Sequence, residues 1–341
     1  MLCCLTKMNS NESHSDRHTF LKRAALLPLV VSAGYPLATA NAAIAPIHRA
    51  GGSHLKTSLN AYSFTEQLTA HSQEAGKGLD LFQLCDFCAE HDFDGIDVTG
   101  YFFPGYPKVP EDSYLFRLKR HAFDLGLGIS GTGVRNDFTA AEKSVRAAGV
   151  LLIKNWIEVA AKLGAPTVRA FADCQSPFKT WQEASGNAPR ATVEAWIAES
   201  LRECAEHAQK YGVIIAVQNH GDFLKTGEEH LSLLKRVDHE WCAAMVDTGK
   251  FLTTDPYADI ALTAPYAVNW QIKEMLRSQL ESPRTDLKKV LTIIRQSGYR
   301  GYLPIETLAM GRKGYDSFVE VPKMLAALRE AIAATEVIAP K

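Results

Sequence analysis

From residue 55 onward, short apolar segments of strand character alternate with longer amphipathic segments of helix character. A strand, a helix and another strand in succession specify parallel pairing through crossover connections. The predicted strands are 57–64, 95–100, 127–132, 166–172, 213–219, 242–247, 267–273 and 302–306. The predicted helices are 79–92, 113–125, 142–163, 191–210, 227–237, 285–297 and 319–335.

Eight such units in roughly 285 residues match the size of a (β/α)₈ barrel. The predicted fold class is therefore α/β, a TIM barrel formed as a single domain by residues 55–335. A doubly wound sheet is the alternative, but no G-x-G-x-x-G motif follows the first predicted strand. Residues 174–190 predict a long loop, and the sequence after residue 247 predicts only a short helix.

The first fifty residues differ from the rest of the chain. They combine a basic start, a short apolar run and a small-residue end at Ala40-Asn41-Ala42, which is the layout of a secretory signal. Residues 1–42 are therefore predicted to be an export signal or a disordered leader, and the protein is predicted to be exported to the periplasm. Pro28, Gly34 and Pro36 interrupt the apolar run. No stable insertion into a membrane is therefore expected.

The formal net charge of −1, with acids and bases mixed along the chain, argues against a nucleic-acid partner. Polar side chains instead collect at the carboxyl ends of the predicted strands, where barrel enzymes carry their active sites. This concentration predicts a functional site at one rim of the barrel. The predicted substrate-binding residues among them are Tyr62, Tyr101, Arg135, Arg169, Asn219 and Lys250.

Four strand ends resemble those of the xylose-isomerase-like TIM barrels, a family of sugar isomerases, epimerases and dehydratases related to endonuclease IV. AVQNHGDF is similar to the family's E-N-H-G segment, and MVDTGKF to its D-T-G-N segment. NWQIKE is similar to H-x-H-x-K-D, and LPIETL to the closing I-E segment. The resemblance covers residues 55 to about 335, and GIDVTGYFFPGYP and GISGTGVRNDF further resemble an exported branch of the family.

Family members bind one divalent metal at these four strand ends, so the resemblance implies Gln218, Asp247, Gln271 and Glu306 as ligands. Gln218 stands for a glutamate and Gln271 for a histidine. Amide oxygens ligate hard cations, and the loss of imidazole favours Mn²⁺ or Mg²⁺ over zinc. Three interpretations stay open: a metal site with altered ligands, a metal-free enzyme and an inactive sugar-binding relic.

The resemblance implies removal of a proton next to a carbonyl, with the metal stabilising the enediolate. Gln218 replaces a glutamate that serves as one base in the family's two-base epimerases, and an amide accepts no proton. Isomerisation by a single base, or β-elimination, is therefore favoured over symmetrical epimerisation. The candidate catalytic residues are Glu306, His220 and Lys273.

These observations predict an exported, divalent-metal-dependent enzyme of isomerase or epimerase type. Its small-molecule substrate is a sugar or keto-sugar. The alternatives are a keto-glycoside lyase or dehydratase that uses the same site, and a non-catalytic sugar-binding module. Barrels of this family often pair, so a homo-oligomer is compatible with the sequence.

Overall fold

The computed structural model describes residues 44–73, 76–175, 177–277 and 283–336. Eight parallel strands close into a barrel in sequence order, which confirms the predicted fold class. The predicted leader, residues 1–42, lies outside the described residues. The strands are β1 His54–Asn60, β2 Gly95–Asp97, β3 Gly128–Gly133, β4 Thr167–Phe171, β5 Ile214–Gln218, β6 Cys242–Asp247, β7 Ala267–Lys273 and β8 Arg300–Glu306.

The α-helices lie between and after these strands and pack against the barrel and one another. None of the helices in the described ranges is long and apolar enough to cross a membrane. The helices are α1 Thr65–Gln73, α2 Leu81–Glu90, α3 Asp112–Asp124, α4 Lys143–Leu163, α5 Trp181–Ala184, α6 Arg190–Tyr211, α7 Gly227–Val237, α8 Pro256–Thr263, α9 Leu287–Gln296 and α10 Ser317–Ala334.

Most boundaries lie within three residues of the predicted ones, and those of β6, β7 and α7 coincide with them. The first strand differs, because the chain turns at Asn60 instead of continuing to Phe64. The Asn60 side chain accepts a hydrogen bond from the Tyr62 amide at 2.8 Å and caps a short 3₁₀ turn over Ala61–Phe64. The predicted loop 174–190 contains α5, whose first turn is capped by Thr180.

Alternation along β7 separates two chemical environments. Trp270 and Ile272 are fully buried in the hydrophobic core, and the Trp270 ring packs edge-on to Tyr299 at a centroid distance of 5.8 Å. The alternate residues include Asn269, whose amide donates to the Thr167 hydroxyl of β4 at 3.1 Å. Because β7 and β4 are not neighbours in the sheet, this bond spans the inside of the barrel.

Strand register brings the carboxyl ends of β6, β7 and β8 to a common level. Asp247 pairs with Gln271, and Lys273 pairs with Glu306. Residues two apart on a strand point to the same face. Gln271 and Lys273 therefore project together into the mouth of the barrel, beside the two carboxylates.

The opposite end of the barrel is covered by residues 44–53. The Arg49 guanidinium donates to the Ala267 carbonyl at 2.6 Å, where β7 begins, and lies over the Tyr299 ring. The Ser53 hydroxyl donates to the Tyr299 carbonyl at 2.6 Å, and the Ile47 amide donates to a carbonyl just before β7. This segment therefore ties down the amino-terminal ends of β7 and β8.

Candidate active site

A cavity of about 360 Å³ opens at the carboxyl ends of the strands. It brings together ten of the predicted site residues: Tyr62, Tyr101, Arg135, Arg169, Gln218, His220, Lys250, Gln271, Lys273 and Glu306. Six further residues line the cavity and were not predicted as site residues: Asn60, Thr99, Phe171, Cys174, Gln175 and Leu308. Asn60 is the last residue of β1 and Thr99 follows β2 by two residues, but the predicted strands 57–64 and 95–100 extend past both and so concealed their positions at strand ends.

Two predicted site residues do not line this cavity. Asn219 is fully buried, and its side chain binds the backbone of Asp247, accepting from the amide at 2.8 Å and donating to the carbonyl at 2.9 Å. Asn219 therefore fixes the end of β6 to that of β5, and the structure does not bring it to the cavity as a substrate contact. Asp247 lies behind the lining and acts on it through its neighbours.

The Lys273 ammonium lies between the two carboxylates of the site. It donates to Glu306 Oε1 and lies 3.5 Å from Asp247 Oδ2. All three side chains are buried. Burial works against the charge of Lys273, but the attraction of Asp247 and Glu306 outweighs it and raises the pKa of the ammonium above its ordinary value.

Two amides complete this cluster as hydrogen-bond donors. Gln218 Nε2 donates to Asp247 Oδ2 at 2.7 Å, while Gln218 Oε1 accepts from the Arg169 guanidinium at 3.4 Å. Both partners fix the same orientation of the Gln218 amide, because a carboxylate only accepts and a guanidinium only donates. The Gln271 amide donates to Glu306 Oε2.

This donor set, as arranged, does not fit a divalent cation. Within the described ranges, no group of three or more His, Cys, Asp or Glu side chains is placed to hold a metal ion. The Gln218 and Gln271 amides present N–H groups to the carboxylates, and an ammonium lies between Asp247 and Glu306. An incoming Mn²⁺ or Mg²⁺ meets like charge where it needs lone pairs. Ligation by these residues stays a prediction that requires Lys273 to move away.

His220 lines the cavity from the loop after β5, and Asp173, which is not part of the lining, contacts it. His220 Nδ1 lies 2.8 Å from Asp173 Oδ2, and Asp173 Oδ1 accepts from the Phe223 amide at 3.2 Å. The imidazole packs on the Phe171 ring at a centroid distance of 4.7 Å. Asp173 thus orients His220 and directs its other nitrogen away from the carboxylate. Asp173 follows β4 by two residues and was not among the predicted site residues.

Aromatic rings hold two arginines at the mouth. The Arg135 guanidinium lies 4.5 Å from the Tyr101 ring centroid, and the Arg169 guanidinium lies 5.3 Å from the same centroid. Arg169 also lies 4.0 Å from the Phe171 ring centroid and donates to the Tyr101 hydroxyl. Stacking on aromatic faces restricts both guanidinium groups before any ligand arrives.

Asp97 is a buried acid near the site that was not predicted from the sequence. Burial raises the pKa of Asp97, at the end of β2, to about 6; Arg169 opposes this rise and Glu306 adds to it. Gly131 leaves room for this carboxylate, because a Cβ at residue 131 lies only 2.7 Å from Asp97 Oδ2. Asp97 thus contributes a titratable charge beside Arg169.

The closed eight-stranded barrel and the polar cavity at the carboxyl ends of its strands define a (β/α)₈ barrel with a candidate active site. Residues 85–333 match a family model described as the xylose isomerase-like TIM barrel. The chain belongs to this family, which confirms the resemblance seen in the sequence.

Solved structures share this fold at low sequence identity. The chain matches D-psicose 3-epimerase from Clostridium cellulolyticum H10 with a TM-score of 0.64 and 16% identity, covering 83% of this chain and 100% of that one. It matches an L-ribulose 3-epimerase with a TM-score of 0.66 and 17% identity, covering 84% and 99%. It matches the 3-keto-D-glucoside 4-epimerase of E. coli with a TM-score of 0.62 and 14% identity, covering 82% and 99%.

Proposed function

We propose that this chain is an enzyme of isomerase or epimerase type that moves a carbon-bound proton next to the carbonyl of a sugar or keto-sugar. The observation that carries the proposal is the Lys273 ammonium, held between Asp247 and Glu306 and lining the cavity. The similar structures named as epimerases of psicose, ribulose and a keto-glucoside support the same substrate class.

In this proposal Lys273 supplies the positive charge of the site. Removal of a proton next to a carbonyl places negative charge on the carbonyl oxygen, and a fixed ammonium at that oxygen stabilises the developing enediolate. Asp247 and Glu306 position Lys273 and keep it charged. The Gln218 and Gln271 amides hold the two carboxylates in turn.

His220 is the base that the geometry favours. Asp173 engages its Nδ1, as an orienting carboxylate does for a catalytic imidazole, so Nε2 is the nitrogen that takes the proton. His220 takes the proton from the hydroxyl-bearing carbon, and the electron pair moves onto the carbonyl oxygen. The hydroxyl proton then passes to that oxygen, a new carbonyl forms at the hydroxyl-bearing carbon, and His220 returns its proton to the former carbonyl carbon. Glu306 is the second candidate, but both of its oxygens accept hydrogen bonds. Gln218 accepts no proton, so this single-base isomerisation is favoured over symmetrical epimerisation.

The predicted Mn²⁺ or Mg²⁺ is not required by this scheme, and a metal requirement stays a prediction. Metal analysis of the purified protein by mass spectrometry tests it directly. If the protein carries a stoichiometric divalent ion that activity depends on, Lys273 is not the electrophile.

The function is tested by solvent deuterium exchange into a panel of keto-sugars, followed by mass spectrometry, with protein freed of metal by a chelator. We expect deuterium at the carbon next to the carbonyl. His220→Gln and Lys273→Met should each slow the exchange by roughly 10²–10⁴-fold. Lys235→Gln, on the exposed side of α7, is the matched control and should exchange normally.

Three results would redirect the proposal. Loss of water or an alcohol from the substrate identifies a lyase at the same site. Sugar binding without exchange identifies a non-catalytic binding module. Equal exchange by the parent chain and both variants shows that the reaction takes place elsewhere.

A further inference from the structure

Positively charged side chains outnumber negatively charged ones in the lining of the cavity. Four cations line it, Arg135, Arg169, Lys250 and Lys273, against a single carboxylate from Glu306. Lys273 is matched by Glu306 and by Asp247 behind it. Among the described residues, the other three cations form no ion pair with a carboxylate.

Lys250 is the most informative of the three. It follows β6 at the edge of the cavity, and no described side chain accepts a hydrogen bond from its ammonium. Burial lowers the pKa of Lys250, and the charges of Lys273 and Arg277 lower it further, while Asp247 and Glu306 oppose the fall. Asp247 and Glu306 attract the Lys250 ammonium, but neither forms an ion pair with it because both are paired with Lys273, so an incoming anion would stabilise this partly buried cation.

Arg135 follows β3 and Arg169 lies within β4, on strands that are not neighbours of β6 in the barrel. Both stack on Tyr101, so their guanidinium planes are set in advance. The Arg169 guanidinium uses two N–H groups on the neutral partners Gln218 and Tyr101, which leaves three of its five donors. Arg135 makes no side-chain hydrogen bond to any described residue.

We propose that the substrate carries a carboxylate, so that the site takes an acid sugar in preference to the matching neutral sugar. This inference rests on the proposed function and specifies its substrate class. The carboxylate binds Arg135 and Arg169, whose planar N–H edges match its two oxygens. The ammonium of Lys250, which lines the same cavity after β6, adds attraction.

The position of these cations favours a carboxylate over a phosphate. Phosphate sites of (β/α)₈ barrels lie frequently at the loops after strands seven and eight, beside the start of a short helix. The three cations without an ion pair instead follow β3, lie within β4 and follow β6. Arg312, which follows β8, already donates to both oxygens of Glu274.

The test is calorimetric binding of matched sets, in which a neutral hexose is compared with its C6 acid and its 6-phosphate. Glucose, glucuronate and glucose 6-phosphate form one set, and the galactose and fructose series form others. We expect at least one acid to bind roughly tenfold more tightly than its neutral partner. Arg135→Gln and Lys250→Gln should each remove most of that preference, so that the ratio of the two affinities falls towards one. Lys235→Gln removes the same charge far from the cavity and should keep the preference.

The inference is overturned if no acid binds better than its neutral partner, or if the 6-phosphates bind best throughout. Solvent deuterium exchange, measured separately, keeps this outcome distinct from failure of the proposed function. If deuterium exchanges into a neutral ketose and no acid sugar binds better than its neutral partner, the proposed reaction is supported and the proposed carboxylate on the substrate is rejected. If an acid sugar binds selectively but no deuterium is exchanged, the carboxylate-binding role of these cations is supported and the proposed reaction is rejected.

Discussion

At the scale of single residues, position along a strand predicted most of the cavity lining. Gln218 and His220 face the cavity while Asn219 between them turns to the backbone of Asp247, which is the two-residue alternation of an extended chain. That alternation was available in the sequence and excludes Asn219 from the lining. The position of Lys273 between two carboxylates could not be predicted from the sequence, because it depends on the register of β7 against β8 and on side-chain rotamers.

Replacing Lys273 with Met leaves the buried carboxylates of Asp247 and Glu306 without their cation. We expect the free energy of unfolding to fall by roughly 3–5 kcal/mol, measured by urea unfolding. The vacated space then suits a divalent cation, so Mn²⁺ should raise the melting temperature of Lys273→Met but not that of the parent chain. Lys235→Met is the matched control. Mn²⁺ binding of equal affinity by parent and variant would contradict the role of Lys273.

His230 gives the protein a pH-dependent stability. It is fully buried and its Nε2 is 2.9 Å from the Val217 carbonyl, and burial lowers its pKa from 6.5 to about 4 despite that bond. Between these two values the unfolded chain binds a proton that the folded chain does not. Stability contributed by neutral His230 is therefore complete above pH 6.5 and is lost as the pH falls towards 4.

The corresponding loss in free energy of unfolding is about 3 kcal/mol between pH 7 and pH 4. Urea unfolding of His230→Gln should show a pH dependence that is smaller than the parent's by this amount. His54→Gln alters an exposed histidine and should unfold with the parent's pH dependence. Identical pH profiles for the parent and His230→Gln would show that this histidine does not set the dependence.

At the scale of secondary-structure elements, the long amphipathic helices were predicted and the short polar one was missed. The sequence of α1, TEQLTAHSQ, places a single side chain, Leu68, in the core, so it carries little periodic signal. Its helical state depends on the turn at Asn60 that ends β1. The overlong first strand in the prediction has the same origin, because an asparagine cap is indistinguishable in sequence from a polar strand residue.

The start of α7 depends on a capping box. Thr226 accepts from the Glu229 amide at 3.1 Å, and the Glu229 carboxylate accepts from the Thr226 amide at 3.2 Å. Thr226→Ala removes one of these bonds and should lower the free energy of unfolding by about 1 kcal/mol in urea titrations. Thr226→Ser keeps the oxygen and should stay within a few tenths of a kcal/mol of the parent. Equal destabilisation by both substitutions would attribute the effect to the lost methyl group.

At the scale of the whole molecule, the alternating pattern predicted a closed barrel, and the structure adds a cover at the amino-terminal ends of its strands. That cover is the segment 44–53, which the predicted domain of residues 55–335 left out. Its contacts pass mainly through backbone carbonyls of Ala267 and Tyr299, which no side-chain pattern reveals.

Two truncations test what the barrel requires. A chain beginning at residue 44 retains the contacts of Ile47, Arg49 and Ser53, so we expect its melting temperature to match the full chain's. A chain beginning at residue 54 loses these three hydrogen bonds and should be less stable by about 3 kcal/mol. Equal stability of both truncations would mean that the segment 44–53 contributes nothing to the barrel.

Export to the periplasm, with removal of residues 1 to about 42, is a proposal that rests on the sequence alone. Sequencing the amino terminus of protein purified from its native host tests it. A mature chain that begins near residue 43 is the expected result. An intact chain recovered from the cytoplasm would contradict it.

The cation between Asp247 and Glu306 is covalently attached to the chain. Its occupancy therefore follows no binding isotherm: every folded copy has it, at any dilution and at any level of free ion. A bound divalent ion is instead half-lost when its free concentration equals its dissociation constant. If Lys273 is the electrophile, as proposed, we expect activity to persist where divalent metals are scarce or chelated and not to be regulated by their supply.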